Sequence, residues 1–202
     1  MRQRRASANI LLVPPLSRST PVGSSASLVH LTRHDDTPNR QSRSPAGTGT
    51  LWLAWGTIYP GWSLTMLGQP EEGLTWLRKG LSACRTPENT ASVPFALILL
   101  TTAYLKLGRT DEALHCLAEA AQIIETSDER YFEAELQRLR GEVLNAIGDG
   151  AAAEQNYHQA LATAKRQSAK TLELRAVTSL ARLWRNQHKR EKALELLAPV
   201  YG

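Results

Sequence analysis

Five histidines, two cysteines and nineteen carboxylates are the side chains with which this 202-residue chain could attempt catalysis or metal binding. Their placement argues against both. His30 and His34 fall in an N-terminal stretch without helical pattern. His115, His158 and His188 fall at three different places in the helical remainder, so solvated or turn roles are expected instead of metal ligation. Glu133 and Glu135 stand two apart, which on a helix points them to different faces and makes them no acid–base pair. The glycines form neither a phosphate-cradling loop ending in Lys-Ser/Thr, nor GxGxxG, nor GxSxG. No catalytic, cofactor-binding or metal-binding residue is expected, and the chain reads as a non-enzyme.

What remains is charge. The formal net charge is +5, with 24 basic and 19 acidic side chains. Residues 1–47 hold seven arginines against Asp35 and Asp36, so this segment alone accounts for the excess. In the rest, residues 48–164 are acidic, whereas residues 165–192 carry nine basic side chains against Glu173 and Glu191. Any attraction for an acidic partner should sit near the C-terminus.

The elements that must position these charges announce themselves by repetition. Stepping by forty residues from Gly148 reaches Gly108, Gly68 and, forward, His188. Five residues later in each unit stand Gly73, Ala113, Ala153 and Ala193. Four residues earlier stand Leu64, Tyr104, Leu144 and Trp184; seven earlier stand Gly61, Thr101, Gly141 and Ala181. A second helix brings Leu77, Leu117, Tyr157 and Leu197, then Gly80, Ala120, Ala160 and Val200. Large apolar residues recur where a helix needs a core contact, and small ones where two helices approach closely. A repeat of this length signals stacked hairpins, since one hairpin cannot bury its own apolar face.

These positions resemble the tetratricopeptide repeat: a small residue, a large one, a turn glycine, then alanine, an aromatic or leucine, and alanine again. The match is strongest in the second and third units. Pro60, expected to kink its helix, and Gly73 are departures in the first, and His188 is one in the fourth; the forty-residue period exceeds the usual 34. The resemblance implies an all-α, right-handed solenoid of about four hairpins, near residues 50–88, 92–127, 129–167 and 170–202. Beyond this, GTIYPGWSLTMLGQPEEG, DERYFEAELQRLRGEVL, AKTLELRAVTSLARLW and ALELLAPVYG resemble the C-terminal helical repeats of bacterial STAND-class predicted ATPases and adenylate or guanylate cyclases. That likeness implies a cytoplasmic signalling module, whose catalytic domains would lie upstream and have no counterpart here. A fragment of a larger array is therefore expected.

In tetratricopeptide arrays the first helices line a concave groove. Carried onto this chain, the groove positions are Trp55, Ile58, Trp62 and Thr65; Phe95, Ile98, Thr102 and Leu105; Glu135, Arg138, Glu142 and Asn145; and Arg175, Thr178, Arg182 and Arg185. The groove would run from aromatic to basic and take a protein or peptide partner with acidic residues. The competing reading makes the arginines solvated surface and leaves the tryptophan-rich end to pack on another repeat. Open ends would also allow self-association. The Lys/Asn set that clamps a carboxylate in chaperone-binding members is missing.

Caps are expected from Ser92, from Thr110, and from the capping-box pair Thr126 and Glu129. Cys84 and Cys116 read as reduced core thiols of second helices. Residues 1–47, rich in Arg, Ser and Pro and without an aromatic residue, are expected to be disordered, as an inert tail or the result of a misplaced gene start. Their scattered arginines lack stacking partners, so nucleic-acid binding is disfavoured. Ile10–Val13 is too short for a membrane span.

Overall fold

The turn glycines act as the forty-residue spacing predicts. In the computed structural model, Gly68, Gly108 and Gly148 all adopt positive φ, and His188 joins them at φ 62°. At each, the following amide closes a six-residue ring onto the helix behind it: Gln69 N donates to Leu64 O, Arg109 N to Tyr104 O, Asp149 N to Leu144 O and Lys189 N to Trp184 O, all at 2.8–2.9 Å. This left-handed cap satisfies orphan carbonyls and sends the chain back along its own helix. Four such turns make four hairpins.

The structure describes residues 46–86, 90–127 and 130–201, with side chains from 52 to 198. The hairpins are α1 (Ala46–Met66) with α2 (Pro70–Cys84), α3 (Val93–Lys106) with α4 (Thr110–Ser127), α5 (Glu133–Ala146) with α6 (Gly150–Arg166), and α7 (Lys170–Asn186) with α8 (Arg190–Tyr201). Short 3₁₀ turns, Thr90–Ser92 and Arg130–Phe132, precede α3 and α5. Each hairpin packs on the next through α2–α3, α4–α5 and α6–α7, and the first helices α1, α3, α5 and α7 also touch in succession. No strand occurs among the described residues. This is an all-α, tetratricopeptide-like solenoid. The expected N-terminal tail, apart from its last residues in α1, lies outside the described residues.

Small residues set the hairpin spacing. A Cβ on Gly61 would lie 2.9 Å from the backbone of Gly73 and Leu77, and one on Gly141 only 2.6 Å from the Tyr157 ring. Ala113, Ala120, Ala153 and Ala160 fill the matching places elsewhere, all fully buried. Around these contacts runs a core of Leu77, Leu97, Leu100, Leu139, Val143, Tyr157 and Leu180. Cys84 and Cys116 are buried free thiols within it, and burial pushes the Cys116 thiol up to about 11, so it stays protonated at neutral pH. Between hairpins, Arg78 donates to the Tyr104 hydroxyl at 2.9 Å; within the second hairpin, the Arg109 guanidinium lies over the Tyr104 ring.

Pro60 lies inside α1, which continues to Met66. Pro60 is exposed, so water can reach the carbonyl its missing N–H leaves unbonded. The expected caps are corrected. Ser92 stands at the start of α3 but in helical conformation, with no side-chain cap bond, because the 3₁₀ turn already feeds the helix. Thr110 is the first residue of α4 and not its cap. Thr126 lies inside α4 and donates back to Gln122 O and Ile123 O at 3.0 Å, while Glu129 lies outside the described residues. The side-chain cap the structure does show is Asp149, which accepts from Ala152 N at 2.9 Å.

Candidate functional site

The four first helices bring the expected groove positions together in rows, and those rows change chemistry halfway along. Trp55 of α1 meets Phe95 of α3 with ring centroids 5.3 Å apart, and Phe95 meets Phe132 at 5.7 Å. One step further along the same forty-residue row, Glu135 of α5 meets Arg175 of α7 at 2.8 Å. The aromatic half is held by dispersion and ring quadrupoles. The other half is held by ions.

That ionic half is a closed network. Arg138 forks onto Glu135, donating from Nε at 3.0 Å and from Nη2 at 2.7 Å. Its Nη1 donates to Glu142 at 2.8 Å and to Ser179 Oγ at 3.2 Å. Ser179 in turn donates to Glu142 at 2.6 Å. The spacing Glu-x-x-Arg-x-x-x-Glu places all three charged groups on one face of α5, and Arg175 and Ser179 reach them from α7. Glu135, Arg138 and Ser179 are buried. Burial disfavours the Arg138 charge, but the hydrogen bonds from Arg138 to Glu135 and the charges of Glu135 and Glu142 more than offset it and raise its pKa. Burial pulls the Arg175 guanidinium down, with Glu135 opposing. Burial, with the Glu142 charge, likewise raises the Tyr157 phenol. Two carboxylates face two guanidiniums, so the network is neutral and ties α5 to α7.

The expected groove residues therefore divide into four groups. Ile58 and Ile98 are buried in the hydrophobic core, and Thr65 is buried with its hydroxyl donated to Gly61 O at 2.9 Å. None of the three offers a surface to a partner, because the apolar side chains at these places are drawn between the helices. Arg138 and Arg175 are spent on the network. Trp55, Trp62 and Phe95 are half-buried against neighbouring helices. Arg182 and Arg185 remain: both are exposed, and neither forms an ion pair among the described residues.

These two arginines line a concavity of about 760 Å³ between α7 and α8, with Thr178, Ala181, His188, Arg190, Ala193, Leu194 and Leu197. Its walls combine three guanidiniums with an apolar floor and hold no carboxylate. Sequence reasoning reached Arg182 and Arg185 but missed Arg190, Leu194 and Leu197, which belong to a second helix. Their signal was the helical spacing in REKALELL, where Arg190, Ala193, Leu194 and Leu197 stand at i, i+3, i+4 and i+7 on one face. At the opposite end of the array, α1 exposes Trp52, Leu53 and Tyr59. No group of three metal-ligating side chains and no helix long and apolar enough to cross a membrane occurs among the described residues.

Comparison with known proteins agrees with this architecture. Residues 88–182 match the model of a tetratricopeptide repeat-like domain. Among solved structures, the chain is similar to a Rap protein complexed with competence and sporulation factor. The TM-score is 0.66 at 17% identity, over 76% of this chain and 42% of that one. The chain thus spans less than half the length of that Rap protein. It is also similar to a tetratricopeptide-like protein from Chlorobium tepidum, with a TM-score of 0.53 at 18% identity over 68% of this chain and 98% of the other. No curated protein matches it in sequence.

Proposed function

We propose that this chain is a protein-binding regulatory module whose contact surface is the basic end of its groove, built on Arg182 and Arg185. One observation carries the reading. At the groove positions of α5 each charge is met by an opposite one, whereas Arg182 and Arg185 face open space with no ion-pair partner. Guanidiniums held on a rigid helix beside an apolar floor suit a carboxylate-bearing protein segment. The similar fold of the Rap protein, complexed with competence and sporulation factor, supports a protein or peptide as ligand. The likeness of the repeats to those of STAND-class ATPases and cyclases supports a cytoplasmic bacterial signalling system as the setting, with the enzymatic parts on other domains.

The test is affinity capture from bacterial lysate with the full chain, beside a variant carrying Arg182→Glu and Arg185→Glu. Arg175 is left intact because it bonds Glu135. A partner retained by the native chain and lost by the variant is expected. Identical captures by both, or none by either, would reduce the arginines to solvated surface.

A further inference from the structure

The molecule itself contains a worked example of what fits the α7–α8 concavity. On the hairpin before it, α7 lies across α5 and α6. There Ser179 donates to Glu142, Leu180 and Leu183 pack with Ala153 and Tyr157, and Lys189, just beyond the helix, pairs with Glu154 at 3.7 Å. Forty residues on, Glu142 becomes Arg182, Asn145 becomes Arg185, Gly150 becomes Arg190, Ala153 becomes Ala193, Glu154 becomes Leu194 and Tyr157 becomes Leu197. All six line the concavity. Its shape is thus the shape of a helix seat, repeated once more and open among the described residues, with Leu194 59% exposed.

The charge of the seat has reversed. The filled seat presents Glu135, Glu142 and Glu154, which receive Arg175 and Ser179 of α7 and Lys189 just beyond it. The open one presents Arg182, Arg185 and Arg190. We infer that the concavity binds an acidic amphipathic α-helix from a partner protein, lying on α7–α8 as α7 lies on α5–α6. This rests on the reading that the basic end is the binding surface, and adds the form and pattern of the ligand. Transferring the contacts of α7 sets the register. A carboxylate occupies the slot of Ser179 to face Arg182. Apolar residues occupy the slots of Ala176, Leu180 and Leu183, three before, one after and four after it. Such i, i+4, i+7 anchoring is how amphipathic helices enter grooves. A second copy docking through α1 suits the seat poorly, since Ala46–Met66 contains no charged residue and would leave three arginines facing none.

The experiment is fluorescence anisotropy of the full chain with three labelled synthetic peptides. The first is a 17-residue helix former with Glu in the slots of Arg175, Ser179 and Arg182, and Leu in those of Ala176, Leu180 and Leu183. The second has the same composition with two central prolines. The third copies residues 52–66. The first peptide is expected to bind in the micromolar range and the other two at least tenfold more weakly. Arg182→Glu with Arg185→Glu, and separately Leu194→Asp, should each weaken the first peptide at least tenfold with unchanged circular-dichroism melting. Leu194 is exposed, so its replacement should leave folding intact. Equal binding of the first two peptides, abolished by the arginine changes but not by Leu194→Asp, would overturn the helix seat while sparing the basic groove. Tighter binding of the third would make the occupant a second copy and overturn the acidic helix. No binding by any peptide would overturn the inference outright, with the groove reading still answerable by lysate capture.

Discussion

The row of the repeat that holds Trp55 against Phe95 in the first two hairpins holds Glu135 against Arg175 in the last two. Backbone position and neighbour are equivalent, yet one pair is apolar and the other charged. The aromatic junction asks little of its surroundings, since rings gain contact area in several orientations. The ionic junction is exacting. Taking Glu135 and Arg138 out of water is repaid only if every partner is in place, with Glu142 and Arg175 completing the network from its rim. It also fixes α5 against α7 in one register. The first pair can tolerate repacking; the second must be complete or it becomes a liability.

The sharpest break in this comparison is Arg138→Ala. It would leave Glu135 buried with only Arg175 and deprive Glu142 of its cation, at an expected cost of about 3–5 kcal/mol. Urea denaturation followed by far-ultraviolet circular dichroism would measure it. A cost below about 1 kcal/mol would mean that the buried network contributes no more than an exposed ion pair. Pairing the change with Glu135→Leu should recover much of the loss, because two apolar groups need no partners.

The aromatic half should yield less. Phe95→Ala removes a half-buried ring from between Trp55 and Phe132, and about 2 kcal/mol is expected, below the range for a fully buried phenylalanine. The same denaturation series serves, with tryptophan fluorescence reporting the environment of Trp55. A loss as large as that of Arg138→Ala would erase the contrast between tolerant and exacting junctions.

How the two halves were legible differs for the same physical reason. Turn glycines, small contact residues and apolar spacing are local demands of a hairpin, and Gly68, Gly108, Gly148, Gly141 and Ala153 declare them in the sequence alone. The family pattern likewise put Glu135, Arg138, Glu142 and Arg175 on the groove face. It could not say that they satisfy one another, which depends on α5 and α7 meeting at hydrogen-bond distance. One clue was present: Ser179 stands forty residues after Leu139 and eighty after Leu99, a hydroxyl where the two preceding hairpins bury leucine. A polar group in a core row demands a polar partner. Ile58 and Ile98 escaped because their helix position is buried in the first three hairpins, at Arg138 as well as at the two isoleucines. The cap misread at Thr126 reflects how often Ser and Thr bond their own helix instead.

The smallest expected effect concerns the turns, where the fourth hairpin departs from the other three. Gly68, Gly108 and Gly148 reach positive φ without steric penalty, whereas His188 is forced there by the same six-residue ring, Lys189 N to Trp184 O at 2.8 Å. A side chain in the left-handed region costs about 1–2 kcal/mol, while glycine's extra freedom in the unfolded chain offsets about 0.5–1 of that. His188→Gly should therefore stabilise the protein by about 0.5–1 kcal/mol. In a chain of this size that corresponds to a rise in melting temperature of about 1–4 °C. His188 also borders the proposed helix seat, so the same variant separates the two roles. If the turn is simply strained, melting rises and peptide affinity is unchanged. A fall in both would assign His188 to the binding surface and place the strain in the service of the site.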